Sequence, residues 1–326
     1  MEPLFVVGAG GIGCAVGYSL CRAGAPVTFI DANPAKVRWG RRHGVRVGRQ
    51  PPQPAPFHLF DEWRPRPGAT VLLCTKCYDN AAVLGRLPPA VDLIPIQNGF
   101  DRSIRPGVDD LEGIASFVSE CDPDRPHARI TRRGRLHFGS RRPVGLTPSA
   151  ATPARRPLVD LLRRHAPFRV EHVPNILPYK YTKLMYNAAL SPLAAAAGLD
   201  NGQLLSVPRA RRLFFQLIRE NYGILRAANV PLGKIGPFHP DTVDRILRRL
   251  PLARLLAWAF YPTLRKTYCS MSGDLPRGRT EIEFYNRHLI DLAGDFPCPL
   301  NRRVYELVKR MERERTPPGP ALLDQL

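Results

Sequence analysis

The chain has 326 residues, 44% of them hydrophobic, a formal charge of +20 and a pI near 10.3. That length is ample for a large core and about two domains. No run of about 18 apolar residues occurs, so no membrane span is expected. The opening MEPLFVVGAG lacks the basic and long apolar regions of a signal peptide, which makes the cytoplasm the expected location. The charge does not read as a nucleic-acid footprint. Of the 48 basic residues 41 are Arg, many scattered as pairs such as Arg41-Arg42 and Arg302-Arg303, with no basic block carrying interleaved aromatics. Such a surface would still attract an anionic cofactor or substrate. Seven cysteines, an odd number, imply free thiols. Cys74 and Cys77 form a C-x-x-C, but no second pair completes a zinc site, so no metal is expected and the pair reads as structural.

Residues 4–7, LFVV, are a short apolar strand. Gly8-Ala9-Gly10-Gly11-Ile12-Gly13 follows and runs into a helix with apolar residues at helical spacing. This is G-x-G-x-x-G between a strand and a helix, the context it requires. Gly8 permits the tight turn, Gly10 lets backbone approach a pyrophosphate, and Gly13 lets the helix pack closely on the strand. The helix N-terminus presents N–H groups and a positive dipole end to phosphates. A dinucleotide site over 8–13 is the expectation. A second strand over 27–30 ends at Asp31, where an acid normally bonds the adenine ribose and repels a 2′-phosphate. Asp31 therefore points to NAD, or FAD, over NADP. Two alternatives stay open: Asp31 caps the next helix, or Lys36, Arg38, Arg41 and Arg42 just downstream restore NADP binding.

Runs at 70–74 and 91–97 are further buried strands. They end in Lys76 and in Asn98-Gly99, where parallel strands deliver ligand-contacting residues at their carboxyl ends. Each also has a plainer reading, as a solvated loop charge and an Asn-Gly turn. Strands are expected over 114–118, 128–131 and 136–138 with turns at Gly134 and Gly139, then a helix over 154–165 and a last strand over 168–173. The sheet domain should occupy 1–174.

From residue 175 to 326 strand signals fade. Helical patterns cover about 178–197, 207–228, 240–260, 280–295 and 300–313, with stripes such as Leu300, Val304, Leu307 and Met311. A dinucleotide-binding α/β (Rossmann-type) domain followed by an all-α domain is a dehydrogenase plan, with substrate in the cleft between domains. The first of these helices, KYTKLMYNAALSPLAA, looks like core throughout, yet Lys183 and Asn187 stand four apart and so share one face. That stripe is either the wet side of an amphipathic helix or a site. The apolar stretch 255–260, LLAWAF, packs internally or joins a second subunit, so a homodimer is one reading.

In order and spacing, GAGGIG (8–13), TKCYD (75–79), IQNGFD (96–101), YTKLMYNAALSPL (181–193), DNGQLL (200–205) and CSMSGDLPRGRTEIEFYN (269–286) resemble the ketopantoate reductases. The resemblance runs nearly end to end. It implies NAD(P)H-dependent reduction of a small 2-oxo acid to a 2-hydroxy acid, best guess 2-dehydropantoate to (R)-pantoate. By the same likeness Lys183 is the general acid and Asn187 its neighbour in placing substrate. Lys76 and Asn98 line the nicotinamide side, Asn98 touching substrate as well. Asn201 and Ser270 hold the hydroxyl and carboxylate end. Glu281 contacts substrate, lies near the cofactor and biases Lys183. Set against these roles are a helix-ending turn at Asn201-Gly202, an N-cap at Ser270 and a surface acid at Glu281.

The chemistry is coherent in its own terms. Hydride addition to a ketone builds negative charge on oxygen, and a lysine ammonium neutralises it and gives the proton. Three departures from the family pattern stand out. Asp31 suggests NADH where the family suggests NADPH, the segment between Ser270 and Glu281 is one residue short, and Arg287 replaces a Gly. A related two-domain dehydrogenase acting on another hydroxy or imino acid, or a silent NAD(P)-binding sensor, is the alternative.

Overall fold

The computed structural model describes residues 4–104, 111–141 and 156–326. The chain divides into two compact units. One comprises residues up to Gln97 together with 101–176. The other comprises Asn98–Phe100 and Leu177–Leu326.

The first unit opens with β1 (Leu4–Val7), α1 (Gly11–Arg22), β2 (Val27–Asp31) and α2 (Pro34–His43). Then come β3 (Arg46–Val47), β4 (Phe57–Leu59), β5 (Thr70–Leu73), α3 (Asn80–Leu84) and β6 (Asp92–Pro95). Its main sheet is parallel, in the order β4-β2-β1-β5-β6. Alternate residues of each central strand go to opposite faces. Val6, Phe29 and Leu72 pack on one side, and Val7, Ile30 and Leu73 on the other. Burial on both faces is why these strands read as unbroken apolar runs. Strand order reverses between β1 and β5, and the segments leaving their carboxyl ends carry the glycines and Lys76. Such a switch point is where open α/β sheets bind ligands.

The unit continues with β7 (Leu111–Ala115), β8 (Val118–Cys121), β9 (His127–Arg132), β10 (Arg135–Ser140), α4 (Arg156–His165) and β11 (Arg169–Asn175). They build two three-stranded sheets, β11-β10-β7 and β3-β9-β8. The expected helix start at 154 lies outside the described residues. The turn expected at Gly139 is instead inside β10. The register slips between Gly139 and Ser140, and a Cβ there would stand 2.5 Å from the Val173 carbonyl oxygen, so the glycine serves close strand approach. The short strands β3 and β4 have no counterpart in the sequence reading, because a Pro-rich stretch separates them.

The second unit contains no strand among its described residues. It comprises α5 (Leu177–Ala197), α6 (Gln203–Ser206), α7 (Pro208–Ala227), α8 (Pro240–Leu247), α9 (Leu250–Leu264), α10 (Ser270–Asp274), α11 (Asn286–Ala293) and α12 (Pro299–Glu314). The span 240–260 is thus two helices, broken at Arg248-Arg249 with Pro251 in the first turn of the second. The span 280–295 begins as a 3₁₀ turn at Ile282–Phe284 and becomes α-helical only at Asn286.

Helix α5 is the centre of this unit, and its Pro192 lies inside the helix. Proline has no N–H to give the carbonyl four residues back, which leaves Ala188 O without its helical donor. Asn286, wholly buried, supplies the replacement: its Nδ2 donates to Ala188 O at 2.9 Å. The same Nδ2 donates to Asn301 Oδ1, Asn301 Nδ2 donates to Asn221 Oδ1, and Asn221 Nδ2 donates to Met185 O. Three buried amides therefore tie α7, α11 and α12 to the backbone of α5. Glu220 of α7 closes the set by accepting the first backbone N–H groups of α12, from Leu300 and Asn301.

Candidate active site

In the first unit Gly8 makes the tight turn and Gly13 the close helix packing that their spacing predicts. Gly8 has φ of 95°, and a Cβ on it would stand 2.9 Å from Thr75 N. A Cβ on Gly13 would stand 1.9 Å from Gly8 O, so α1 is allowed onto the loop only by its absence. Gly10 is the contrast, since a Cβ there meets nothing within 4 Å. Gly10 is also the N-cap of α1, with no side-chain cap and no acid in the first turn, which begins with Gly11 and the half-buried Ile12. Open backbone next to a helix start with uncapped N–H groups and no competing carboxylate suits a pyrophosphate. These residues fit a dinucleotide.

Asp31 ends β2 half-buried. Its Oδ2 accepts Ala9 N–H at 2.8 Å and its Oδ1 accepts Asn33 N–H at 2.9 Å. It is not a helix cap, because Asn33 is, accepting from Ala35 and Lys36 with Pro34 behind it. Asp31 thus braces the glycine loop against the start of α2. Two of the four downstream cations are already engaged. Lys36, buried, donates Nζ to Ala9 O at 3.1 Å, and Arg41 donates to Phe57 O and pairs with Glu62. Arg38 and Arg42 are exposed.

Lys76 is half-buried at the start of the 3₁₀ turn Cys77–Asp79. Its loop is fixed by a buried amide pair. Asn80 Nδ2 donates to Gln97 Oε1 at 3.1 Å and Gln97 Nε2 donates to Asn80 Oδ1 at 2.7 Å. Gln97 also donates to Thr75 O, and Asn80 to Asp101 Oδ2. The ends of β5 and β6 are thereby clamped in register. The Cys74 thiol, pushed up to about 12 by burial, is suited to packing and not to redox work.

In the second unit, Lys183 and Asn187 lie on one half-buried stripe of α5 with Tyr179 and Tyr186, while Leu184, Met185, Ala188 and Ala189 are buried. Burial raises the Tyr186 phenol well above its ordinary range. Asn98 is half-buried and belongs to this unit through its neighbour Phe100. Phe100 N–H donates to Phe284 O at 3.1 Å, and its ring stacks on Tyr181 and on His288, with centroids 4.3 and 4.5 Å apart. Lys180, 2% exposed, sets its Nζ 4.8 Å from the same ring centre.

Asn201 is buried and does not end a helix; it stands in the turn before α6. Its N–H donates to Thr267 O and its Nδ2 to Thr267 Oγ1, while Oδ1 is buried with no hydrogen-bond partner. Ser270 is exposed, three residues beyond Thr267, as the first residue of α10. The N-cap is Cys269. Glu281 is no surface acid. It is 4% exposed, accepts Tyr285 O–H at 3.2 Å, and follows Thr280, whose N–H and O–H both donate to Glu312. The neighbouring Asn286 ties this segment to α5 one residue from Asn187. Arg287 points away into an ion pair with Asp291 on its own helix.

The structure thus joins the sequence-predicted residues in groups. Gly8 to Gly13 gather with Asp31, and Lys183 with Asn187. Asn201 is tied to Thr267, three residues before Ser270, and Glu281 is held by Tyr285, whose neighbour Asn286 bonds α5. Sequence reasoning took Lys36 only as a candidate phosphate partner, where it holds Ala9 O, and missed Asn80, Gln97 and Asn286. A proline inside a helix is a readable demand for an outside donor, but nothing in the sequence names the residue that supplies it.

A parallel sheet with a glycine-rich turn at its switch point, followed by a helical unit with a lysine–asparagine stripe, defines a nicotinamide-dinucleotide-dependent oxidoreductase. Two family models match, "Ketopantoate reductase PanE/ApbA" over residues 4–108 and "Ketopantoate reductase PanE/ApbA C terminal" over 175–312. The chain belongs to the ketopantoate reductase family. It is 22% identical to the 2-dehydropantoate 2-reductase of Archaeoglobus fulgidus over 96% of this chain and 98% of that one. Among solved structures it is similar to a PanE/ApbA family ketopantoate reductase from Ralstonia eutropha JMP134, with a TM-score of 0.73, 23% identity, and 96% and 99% of the two chains covered. It is equally similar to D-mandelate dehydrogenase in complex with NADH, with a TM-score of 0.74, 17% identity, and 97% and 100% covered. At those identities the two structures speak for the fold alone.

Proposed function

We propose that the protein reduces a small 2-oxo acid to a 2-hydroxy acid, with 2-dehydropantoate as the first substrate to test and Lys183 as the general acid. The observation that carries this reading is the half-buried Lys183–Asn187 stripe on a helix whose other faces are core. A bound reduced nicotinamide supplies the hydride. Lys183 holds the proton and delivers it to the carbonyl oxygen as charge builds there. Asn187 orients the carbonyl end. Asn201 offers its unpartnered Oδ1 to a substrate hydroxyl, an exchange that satisfies a buried acceptor. Ser270 takes the carboxylate, and Lys76 and Asn98 serve the nicotinamide side. Glu281, held by Tyr285 and the Thr280–Glu312 pair, contacts substrate and biases Lys183.

NADH is the preferred cofactor in this reading. What supports it is an acid at the end of β2, where such a residue normally bonds the ribose and repels a 2′-phosphate, with Lys36 and Arg41 committed to backbone carbonyls. A second reading keeps the mechanism and changes the acid: D-mandelate dehydrogenase has the same fold and acts on another 2-hydroxy acid. No helix among the described residues is long and apolar enough to cross a membrane. The exposed apolar face of α9, with Leu252, Leu255 and Trp258, supports a homodimer.

The test is loss of absorbance at the reduced-nicotinamide band, with NADH and NADPH each offered 2-dehydropantoate and a panel of 2-oxo acids. Rapid oxidation with 2-dehydropantoate is the expected result. Activity on another oxo acid alone would replace the substrate and keep the mechanism. Cofactor binding with no turnover on any acid would favour a sensor.

A further inference from the structure

Three donors converge on the Ala9 carbonyl, inside the glycine-rich loop. Cys14 Sγ lies 3.2 Å from Ala9 O, Cys121 Sγ 3.4 Å and Lys36 Nζ 3.1 Å. Lys36 Nζ is also 3.8 Å from Cys121 Sγ, so both thiols and the lysine meet at one carbonyl oxygen. The two cysteines come from different elements, Cys14 from the first turns of α1 and Cys121 from the end of β8. Strand β8 already grips the loop at a second point, where Ser119 Oγ donates to Gly11 O at 3.0 Å. Cys14 is wholly buried, whereas Cys121 is half-exposed.

We propose that Cys14 and Cys121 form an oxidisable dithiol whose disulfide, made by a hydroperoxide such as hydrogen peroxide, locks β8 onto the glycine-rich loop and weakens dinucleotide binding. The environments of the two thiols assign their order. The neighbouring Cys14 thiol and then the Lys36 ammonium hold the Cys121 thiol below its usual range, while burial drives Cys14 well above it. A thiolate beside an ammonium and open to solvent is the form that attacks a peroxide. Cys121 Sγ takes one peroxide oxygen as the O–O bond breaks, giving a sulfenic acid and a hydroxide that leaves as water with the proton Cys121 gave up. Cys14 Sγ then attacks the Cys121 sulfur. The S–S bond forms, the S–O bond breaks, and the departing hydroxide takes the Cys14 proton as a second water. Two thiols are oxidised to one disulfide and one peroxide is reduced to two waters.

A sulfur–sulfur bond of about 2.05 Å is shorter than any hydrogen bond it replaces, and it removes both thiol donors from Ala9 O. Ala9 lies between Gly8 and Gly10, and its N–H is the one Asp31 holds. Moving this peptide displaces the backbone that faces the pyrophosphate. The effect on binding rests on the dinucleotide reading of the loop; formation of the bond does not.

The test is graded hydrogen peroxide on the full chain, followed by alkylation of remaining thiols and non-reducing peptide mapping, with dinucleotide affinity measured on the same samples. The map needs no cofactor, so it reads the bond whether or not the loop is a dinucleotide site. The expected result is a Cys14–Cys121 linked peptide that dithiothreitol reverses and that is absent from both Cys121→Ser and Cys14→Ala. NADH affinity should fall about tenfold on linkage, the size of one or two lost hydrogen bonds. Peroxide that leaves both thiols open to alkylation, or that stops at an oxygenated Cys121, would overturn the dithiol. Full linkage with unchanged affinity in a chain that binds NADH when reduced would overturn its effect on binding.

Discussion

The glycine loop of the first unit and helix α5 of the second solve opposite problems. The loop offers backbone, and side chains hold it: Asp31 takes the Ala9 N–H and Lys36 takes the Ala9 carbonyl. Helix α5 offers the side chains of Lys183 and Asn187, and it is the backbone that needs holding, by Asn286 at Ala188 and Asn221 at Met185. The backbone site is braced within about thirty residues of chain by Asp31 and Lys36, and it admits no Cβ at Gly8 or Gly13. The side-chain site on the helix depends on donors 36 and 98 residues away, and it tolerates change until one of those donors is lost.

Substitutions can break this contrast in either unit. The largest effect is expected for Gly13→Ala. Its Cβ would lie 1.9 Å from Gly8 O, and backbone has to move to admit it. Overpacking of that kind costs about 3 kcal/mol, or about a hundredfold in dinucleotide affinity read by fluorescence titration. Asn286→Ala comes next. It leaves Ala188 O and Asn301 Oδ1 each short of a buried donor, and chemical denaturation should show a loss of about 2–3 kcal/mol. If α5 loses its place, turnover should fall further than dinucleotide affinity, which belongs to the other unit. Asp31→Ala is smaller. It should weaken both cofactors by freeing Ala9 N–H and raise the NADPH-to-NADH preference about tenfold, since the carboxylate is gone. An unchanged ratio would mean that Asp31 braces the loop without reading the ribose.

The smallest expected effect is one of pH. His137 is buried between Ile114 and Glu171, and burial outweighs the carboxylate to hold the imidazole below its usual 6.5. Its unfolded form therefore binds the proton more readily. The stability it contributes is complete above pH 6.5 and is lost as pH falls through that value toward its folded pKa. Denaturation midpoints of the wild type should drop across that window by more than those of His137→Gln.

The same contrast explains what was legible in the sequence. The strand at 4–7, the glycine spacing and the Asp at the end of β2 are local patterns, and the structure places them as read. The Lys183–Asn187 spacing is local too, and both stand on one stripe. Gly139 misled because a glycine that admits a neighbouring strand looks like one that makes a turn. The break at 248–249 was missed because apolar spacing continues across it. Asn98 ends a strand run of the first unit but packs with the second, through Phe100 on Tyr181 and His288, and no local pattern carries that information. Lys36, Asn286 and the Cys14–Cys121 pair are contacts across long sequence separations, for which one sequence holds no signal.

The most direct test of the account is a single-turnover experiment on Lys183→Ala, with NADH and 2-dehydropantoate followed at the reduced-nicotinamide band, and with dinucleotide affinity measured on the same preparation. The account predicts a hydride-transfer rate lower by about 10²–10⁴-fold, the range for loss of a general acid, with affinity retained. A rate near that of the wild type would contradict it and remove Lys183 from the chemistry.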